Sequence, residues 1–142
     1  MGIDSEKIPG GYIKSYPSIW KYLGNELSAI QYKALLGLMF KTLKGTNSLA
    51  PINNKTTISE LVEILGVSTN KVKPTLEKLY DLGVYRQLEV GGKYGSWRNY
   101  WVFNPYIGMN GEMVSEEIKE LFHDTKVAVE YRKRVKLNDE LN

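Results

Sequence analysis

Between Ile58 and Gly83, two short segments of helix-like apolar spacing are separated by only three residues, Gly66, Val67 and Ser68. This is the tightest constraint the chain carries. In the first segment Leu61, Ile64 and Leu65 fall on the inner side of a helix over 60–65, with Ser59 as its N-cap and Thr57-Ile58 as a very short strand before it. In the second, Ser68 caps a helix over 69–82 whose Val72, Leu76 and Leu79 lie at i, i+4 and i+7. Gly83 stands where a helix closes in the left-handed conformation that glycine adopts without a Cβ clash. Gly66 and Val67 turn the chain sharply, and Leu61, Leu65, Val72, Leu76 and Leu79 clamp the two helices together.

The flanking sequence supplies compatible elements. Pro9-Gly10-Gly11 makes residues 1–14 an irregular arm. Tyr16, Ile19, Trp20 and Leu23 then recur at helical spacing behind Pro17, with Gly24 and Asn25 ending the run. Ser28 caps a longer helix carrying Ile30, Ala34, Leu35, Leu38, Met39 and Thr42 on one face up to Gly45, followed by a loop over 46–55 rich in asparagine. After Gly83 the run 84–90 alternates as a strand, Gly91, Gly92 and Gly95 supply a turn, and Tyr100-Trp101-Val102-Phe103 returns as the second strand of a hairpin. Alternation sends Trp101 and Phe103 to one face and Tyr100 and Val102 to the other, which favours core packing over an aromatic platform for single-stranded bases. Asn104-Pro105 and Asn110-Gly111 mark turns, and Ser115 caps a final helix with Ile118, Leu121, Phe122, Thr125 and Val129 on one stripe. The expectation is an α+β chain in three parts: an arm and short helix over 1–27, a central domain over 28–108, and a C-terminal helix over 109–142.

Composition excludes much chemistry. The 142 residues hold no cysteine and one histidine, so a disulfide, a thiolate nucleophile and a multi-histidine metal site are ruled out, and neither metal nor cofactor is expected. His123 beside Asp124 lacks a placed nucleophile, and a strand-nicking tyrosine of the rolling-circle kind works with a two-histidine metal motif that is missing here. The Gly91-Gly92-Lys93-Tyr94-Gly95 run has the wrong spacing for a P-loop. The longest strongly apolar stretch, over 34–40, falls far short of the roughly 20 residues that span a bilayer, and the N-terminus has no basic stretch before an apolar run, so a cytoplasmic protein without membrane contact is expected. Charge is uneven: residues 1–111 hold 13 Lys/Arg against 8 Asp/Glu, and residues 112–142 hold 6 against 8. That balance permits a polyanionic partner without requiring one.

The order helix, short strand, short helix, tight turn, longer helix, hairpin resembles the winged helix-turn-helix superfamily, most closely over Ile58 to Gly83. The resemblance implies that the helix over 69–82 enters the major groove of double-stranded DNA N-terminus first. Its outward residues Thr69, Asn70, Lys71, Lys73, Thr75 and Lys78, together with the cap Ser68, are then the expected DNA contacts. The hairpin becomes the wing, with Lys93 and Arg98 on flanking phosphate or minor groove. Pro74 departs from the pattern: either the helix bends there or it begins nearer Lys71, which moves Thr69 and Asn70 into the turn.

Asn53 to Phe122 is also similar to the RepL-type replication initiators of Gram-positive plasmids and related phage proteins, through Trp101-Val102-Phe103-Asn104-Pro105-Tyr106-Ile107, then Asn110-Gly111 and Leu121-Phe122. That resemblance, shared with MarR-like repressors, implies origin or operator binding with no catalytic residue, as a replication initiator or a transcriptional regulator working with host machinery. The last helix is an extra layer or a homodimer seam, for which Ile118, Leu121, Phe122 and Val129 are the expected contacts. The basic run Arg132, Lys133, Arg134 and Lys136 sits at its C-terminal end, where cations suit the helix dipole. A winged helix used only for protein contact, such as a phage-encoded modulator of a host protein, is the alternative.

Overall fold

The computed structural model describes residues 13–91, 97–111 and 114–141. Among them the chain is α+β, with six helices and two separate two-stranded antiparallel sheets. Strand β1 (Ile13–Ser15) pairs with β4 (Gly108–Asn110), and β2 (Tyr85–Gly91) pairs with β3 (Trp97–Phe103) in the register Tyr85↔Phe103 through Gly91↔Trp97. The helices are α1 (Pro17–Glu26), α2 (Ala29–Met39), α3 (Ile58–Leu65), α4 (Thr69–Leu82), α5 (Glu116–Leu121) and α6 (Lys126–Leu141).

Local chemistry fixes the helix starts. Pro17 occupies the first turn of α1, where its missing N–H costs nothing. Ser28 forms a reciprocal capping box with Gln31 at the start of α2. Helix α3 begins earlier than the expected position 60: Thr57, not Ser59, is its N-cap, accepting from the Glu60 N–H at 3.1 Å. The expected strand at Thr57-Ile58 is therefore absent, and the hairpin's extra bridge comes from Ser48, paired with Val102. Helix α2 ends at Met39 rather than near Gly45, because the chain tightens and then folds back, with the Leu43 N–H on the Ser48 carbonyl at 2.8 Å. Ile30, expected on the inner face, is exposed. Helix α1 runs on through Gly24 and Asn25 to Glu26.

One apolar cluster joins all three expected segments. Ile19 and Leu23 of α1, Leu35 and Leu38 of α2, Leu65 of α3, Leu79 and Leu82 of α4, Phe103 of β3 and Val127 of α6 belong to it. Gly37 lets α2 meet α3 at backbone distance: a Cβ there would lie 2.2 Å from the Ile64 carbonyl oxygen. Trp101, Val102 and Phe103 are all buried, so both faces of β3 are covered at this end, where Ser48 bridges to Val102. Trp101 stacks on Tyr85 with ring centroids 4.8 Å apart, and its indole N–H donates to Asn54 Oδ1 at 3.0 Å.

Three asparagines that resemble turn residues in the sequence are buried or half-buried connectors. Asn47 donates to the Phe103 and Gly108 carbonyls and accepts from the Asn110 N–H, tying the α2–α3 loop to both sheets. Asn110 donates to the Thr42 carbonyl at 2.7 Å. Asn104 donates to the Gly83 carbonyl at 2.7 Å and to Thr125 Oγ1 at 3.3 Å, and accepts from the Tyr106 N–H at 2.8 Å. A buried amide is tolerated only with such partners.

The expected single C-terminal helix is broken into α5 and α6 at Phe122 to Thr125. Thr125 Oγ1 donates to the Phe122 carbonyl at 2.7 Å and accepts from the Ala128 N–H at 3.1 Å, so it caps α6. Phe122 is fully buried in this chain and therefore unavailable as a dimer contact, while Ile118 and Leu121 are half-buried and Val129 is exposed.

Candidate nucleic-acid interface

Helices α3 and α4 are joined by the turn over 66–68, with Gly66 in the left-handed region at φ 68° and Val67 buried beneath it. Helix α4 starts at Thr69 and runs unbroken through Pro74. Of the two alternatives open in the sequence, a start near Lys71 is thus excluded. Pro74 sits on the exposed side, so the Asn70 carbonyl that it leaves without an N–H partner faces water rather than the core. Gly83 closes the helix at φ 81° against Thr125, where a Cβ would come within 2.3 Å of the Thr125 Cβ.

Helical geometry sorts the expected contacts. Ser68, Thr69, Asn70, Lys71 and Lys73 are exposed and cluster in the first turn and a half of α4. The Ser68 hydroxyl donates to Asn70 Oδ1 at 2.7 Å and makes no side-chain cap. Thr75 is only 3% exposed and belongs to the inner face with Val72 and Leu79, so it is not available to DNA. The expectation failed because Thr75 lies three residues after Val72, one helical turn along the same buried stripe. Lys78 is half-buried on the flank. Lys93 and the side chain of Arg98 lie outside the described residues, as do residues 1–12 of the irregular arm expected over 1–14; its last two residues, Ile13 and Lys14, instead belong to β1, ordered by pairing with β4.

One neighbouring cation escaped the sequence reading. The side chain of Lys33, on α2, lies across Gly66: a Cβ on that glycine would be 2.9 Å from Lys33 Cε and 3.3 Å from Nζ. Its ammonium thereby lies at the α3–α4 turn. No local signal reveals this, since the two residues are 33 positions apart in sequence. Lys71 and Lys73 stand at this end of α4, whereas its C-terminal half carries exposed Glu77 and Asp81 beside the half-buried Lys78.

Beside that acidic half lies a groove of about 560 Å³ between the start of α3, α4 and β2. Leu61, Val72, Leu76 and Tyr85 form its floor, and Ile58, Lys73, Glu77, Tyr80, Asp81 and Gln87 its rim. Burial, with the charges of Tyr80, Asp81 and Glu77 nearby, pushes the Tyr85 phenol well above its ordinary range, and its hydroxyl donates to the Leu76 carbonyl at 3.3 Å.

His123 is exposed, and its Nδ1 lies 3.3 Å from an Arg132 guanidinium nitrogen, whereas Asp124 pairs with Arg86 at 3.1 Å. The two neighbours thus point to different partners. Among the described residues no three His, Asp or Glu side chains converge as a metal site. Comparison with protein-family models, curated proteins and solved structures finds no match to this chain.

Proposed function

We propose that the chain is a winged helix-turn-helix protein that binds specific double-stranded DNA without catalysing a reaction, as a cytoplasmic homodimer. In this reading α4 enters the major groove by its N-terminal end, and the β2–β3 hairpin is the wing. The observation that carries it is the exposed group Thr69, Asn70, Lys71 and Lys73 on the first turns of the second helix of a tightly turned pair, with Lys33 added at the turn. Thr69 and Asn70 present hydroxyl and amide groups able to read base edges, and the three lysines suit phosphates. The role follows from the plasmid and phage resemblance: replication initiation or transcriptional regulation, two activities that share one DNA reader and differ in what is recruited to it.

The second reading, a protein-interaction module, draws on the acid-rimmed apolar groove beside α4. One experiment separates the two. Pure protein is titrated with fragments of its own gene neighbourhood and with random duplex over a salt series. Preference of about 10³-fold or more with a steep salt slope supports specific reading, and footprinting then distinguishes an origin from a promoter. Sequence-blind or absent binding favours the protein partner.

A further inference from the structure

We infer that the groove between α4 and β2 receives helix α6 of a second copy of this chain. The inference rests on the dimeric part of the reading above and replaces the seam expected around Phe122. Its starting point is an unpartnered stripe on α6. Val129, Lys133, Lys136 and Leu137, at i, i+4, i+7 and i+8, share one side of that helix, and all four are exposed, Val129 by 39% and Leu137 by 58%. The stripe is apolar at its ends and cationic between them. Its neighbours are already engaged elsewhere: Arg134 pairs with Glu130 at 3.1 Å and Arg132 with His123.

The groove has the complementary pattern. Glu77 and Asp81 stand one helical turn apart on its rim, both exposed and in no ion pair with described residues, while Ile58 and Tyr80 expose apolar surface on either side. One turn also separates Lys133 from Lys136, so two cations of one helix meet two carboxylates of the other at matching spacing, with the apolar ends of the stripe against Ile58 and Tyr80. Lys73 at the other end of the rim repels the incoming cations and so sets the direction in which α6 lies. The groove begins at Val72, which leaves Ser68 to Lys71 outside the contact and free for DNA. Two copies exchanging α6 in this way make the contact twice and close a two-fold dimer.

The test is a charge exchange read by sedimentation over a concentration series, without DNA. Wild type is compared with E77K/D81K, with K133E/K136E and with the four substitutions combined. All four positions are exposed, and thermal melting confirms that each variant is folded. The expected result is a wild-type dimer, self-association at least ~10-fold weaker in either double variant, and recovery in the combination. The wild-type dimer should also weaken by at least ~10-fold as salt rises from about 50 to 500 mM, a measurement that needs no variant. A monomeric wild type, a double variant that associates as wild type does, failure of the combination to recover, or a salt-insensitive dimer overturns the inference. Duplex binding by the same proteins is scored separately, so loss of the dimer and loss of DNA recognition remain distinguishable.

Discussion

The aliphatic stem of Lys33 lies on Gly66, so that a residue of α2 delivers its ammonium to the turn between α3 and α4. Two substitutions separate the roles of this pair. Lys33→Ala should leave stability within about 0.5 kcal/mol of wild type, and should lower the magnitude of the log–log salt slope of duplex binding by about 0.9, one phosphate contact. Gly66→Ala acts the other way. It places a Cβ at φ 68° against the Lys33 stem and should cost about 1 kcal/mol of stability by urea titration. An unchanged salt slope in Lys33→Ala would remove that lysine from the interface.

Asn104 should be among the most sensitive polar positions. Its side chain joins the end of α4, the end of the hairpin and the α5–α6 corner through Gly83, Thr125 and Tyr106. Asn104→Ala leaves the buried Gly83 carbonyl short of its side-chain donor and opens a small void, for an expected loss of about 3 kcal/mol. Asn104→Asp should be comparably harmful, because the carboxylate cannot donate to that carbonyl. A melting temperature equal to wild type in either variant would contradict the role.

Alkaline pH should loosen the contact between the start of α1, α6 and the loop before β4. Burial, reinforced by the charge and hydrogen bond of Tyr131 and by Tyr106, pushes the Tyr16 phenol from 10.0 up to about 12. Tyr131 sits edge-on to both rings, 4.9 Å from Tyr16 and 5.2 Å from Tyr106. Because the folded state holds the phenolic proton more tightly, this contribution is complete below pH 10 and is lost as pH rises toward 12. Melting temperatures measured from pH 9 to 12 should fall more shallowly for Tyr16→Phe than for wild type. Parallel curves would sink the assignment.

What the sequence made legible was local. Periodicity and the closing glycines place α3 and α4, since Leu61, Leu65, Val72 and Leu79 repeat within single helices and Gly66 and Gly83 mark their ends, whereas the start of α3 is set by Thr57 rather than Ser59. The features missed depend on contacts between distant segments. Asn47, Asn104 and Asn110 read as turn formers because nothing nearby reveals that their amides bridge segments up to 68 residues apart. The break between α5 and α6 contains neither glycine nor proline; it is made by Thr125 turning its hydroxyl onto Phe122 and by Gly83 packed against it. Thr75 was misplaced for a different reason, since its polar side chain outweighed a position on the buried stripe.

The reading of α4 as a DNA-entering helix is tested most directly by comparing wild type, Thr75→Ser and the triple variant K33A/K71A/K73A on a duplex from the gene neighbourhood, between about 50 and 200 mM salt. The account predicts that Thr75→Ser, altered only inside the core, binds as wild type does. The triple variant should lose most affinity at low salt, with a slope smaller in magnitude by about 2.7, and should keep its fold. Equal affinity and slope in wild type and the triple variant would contradict the account and take α4 out of the groove.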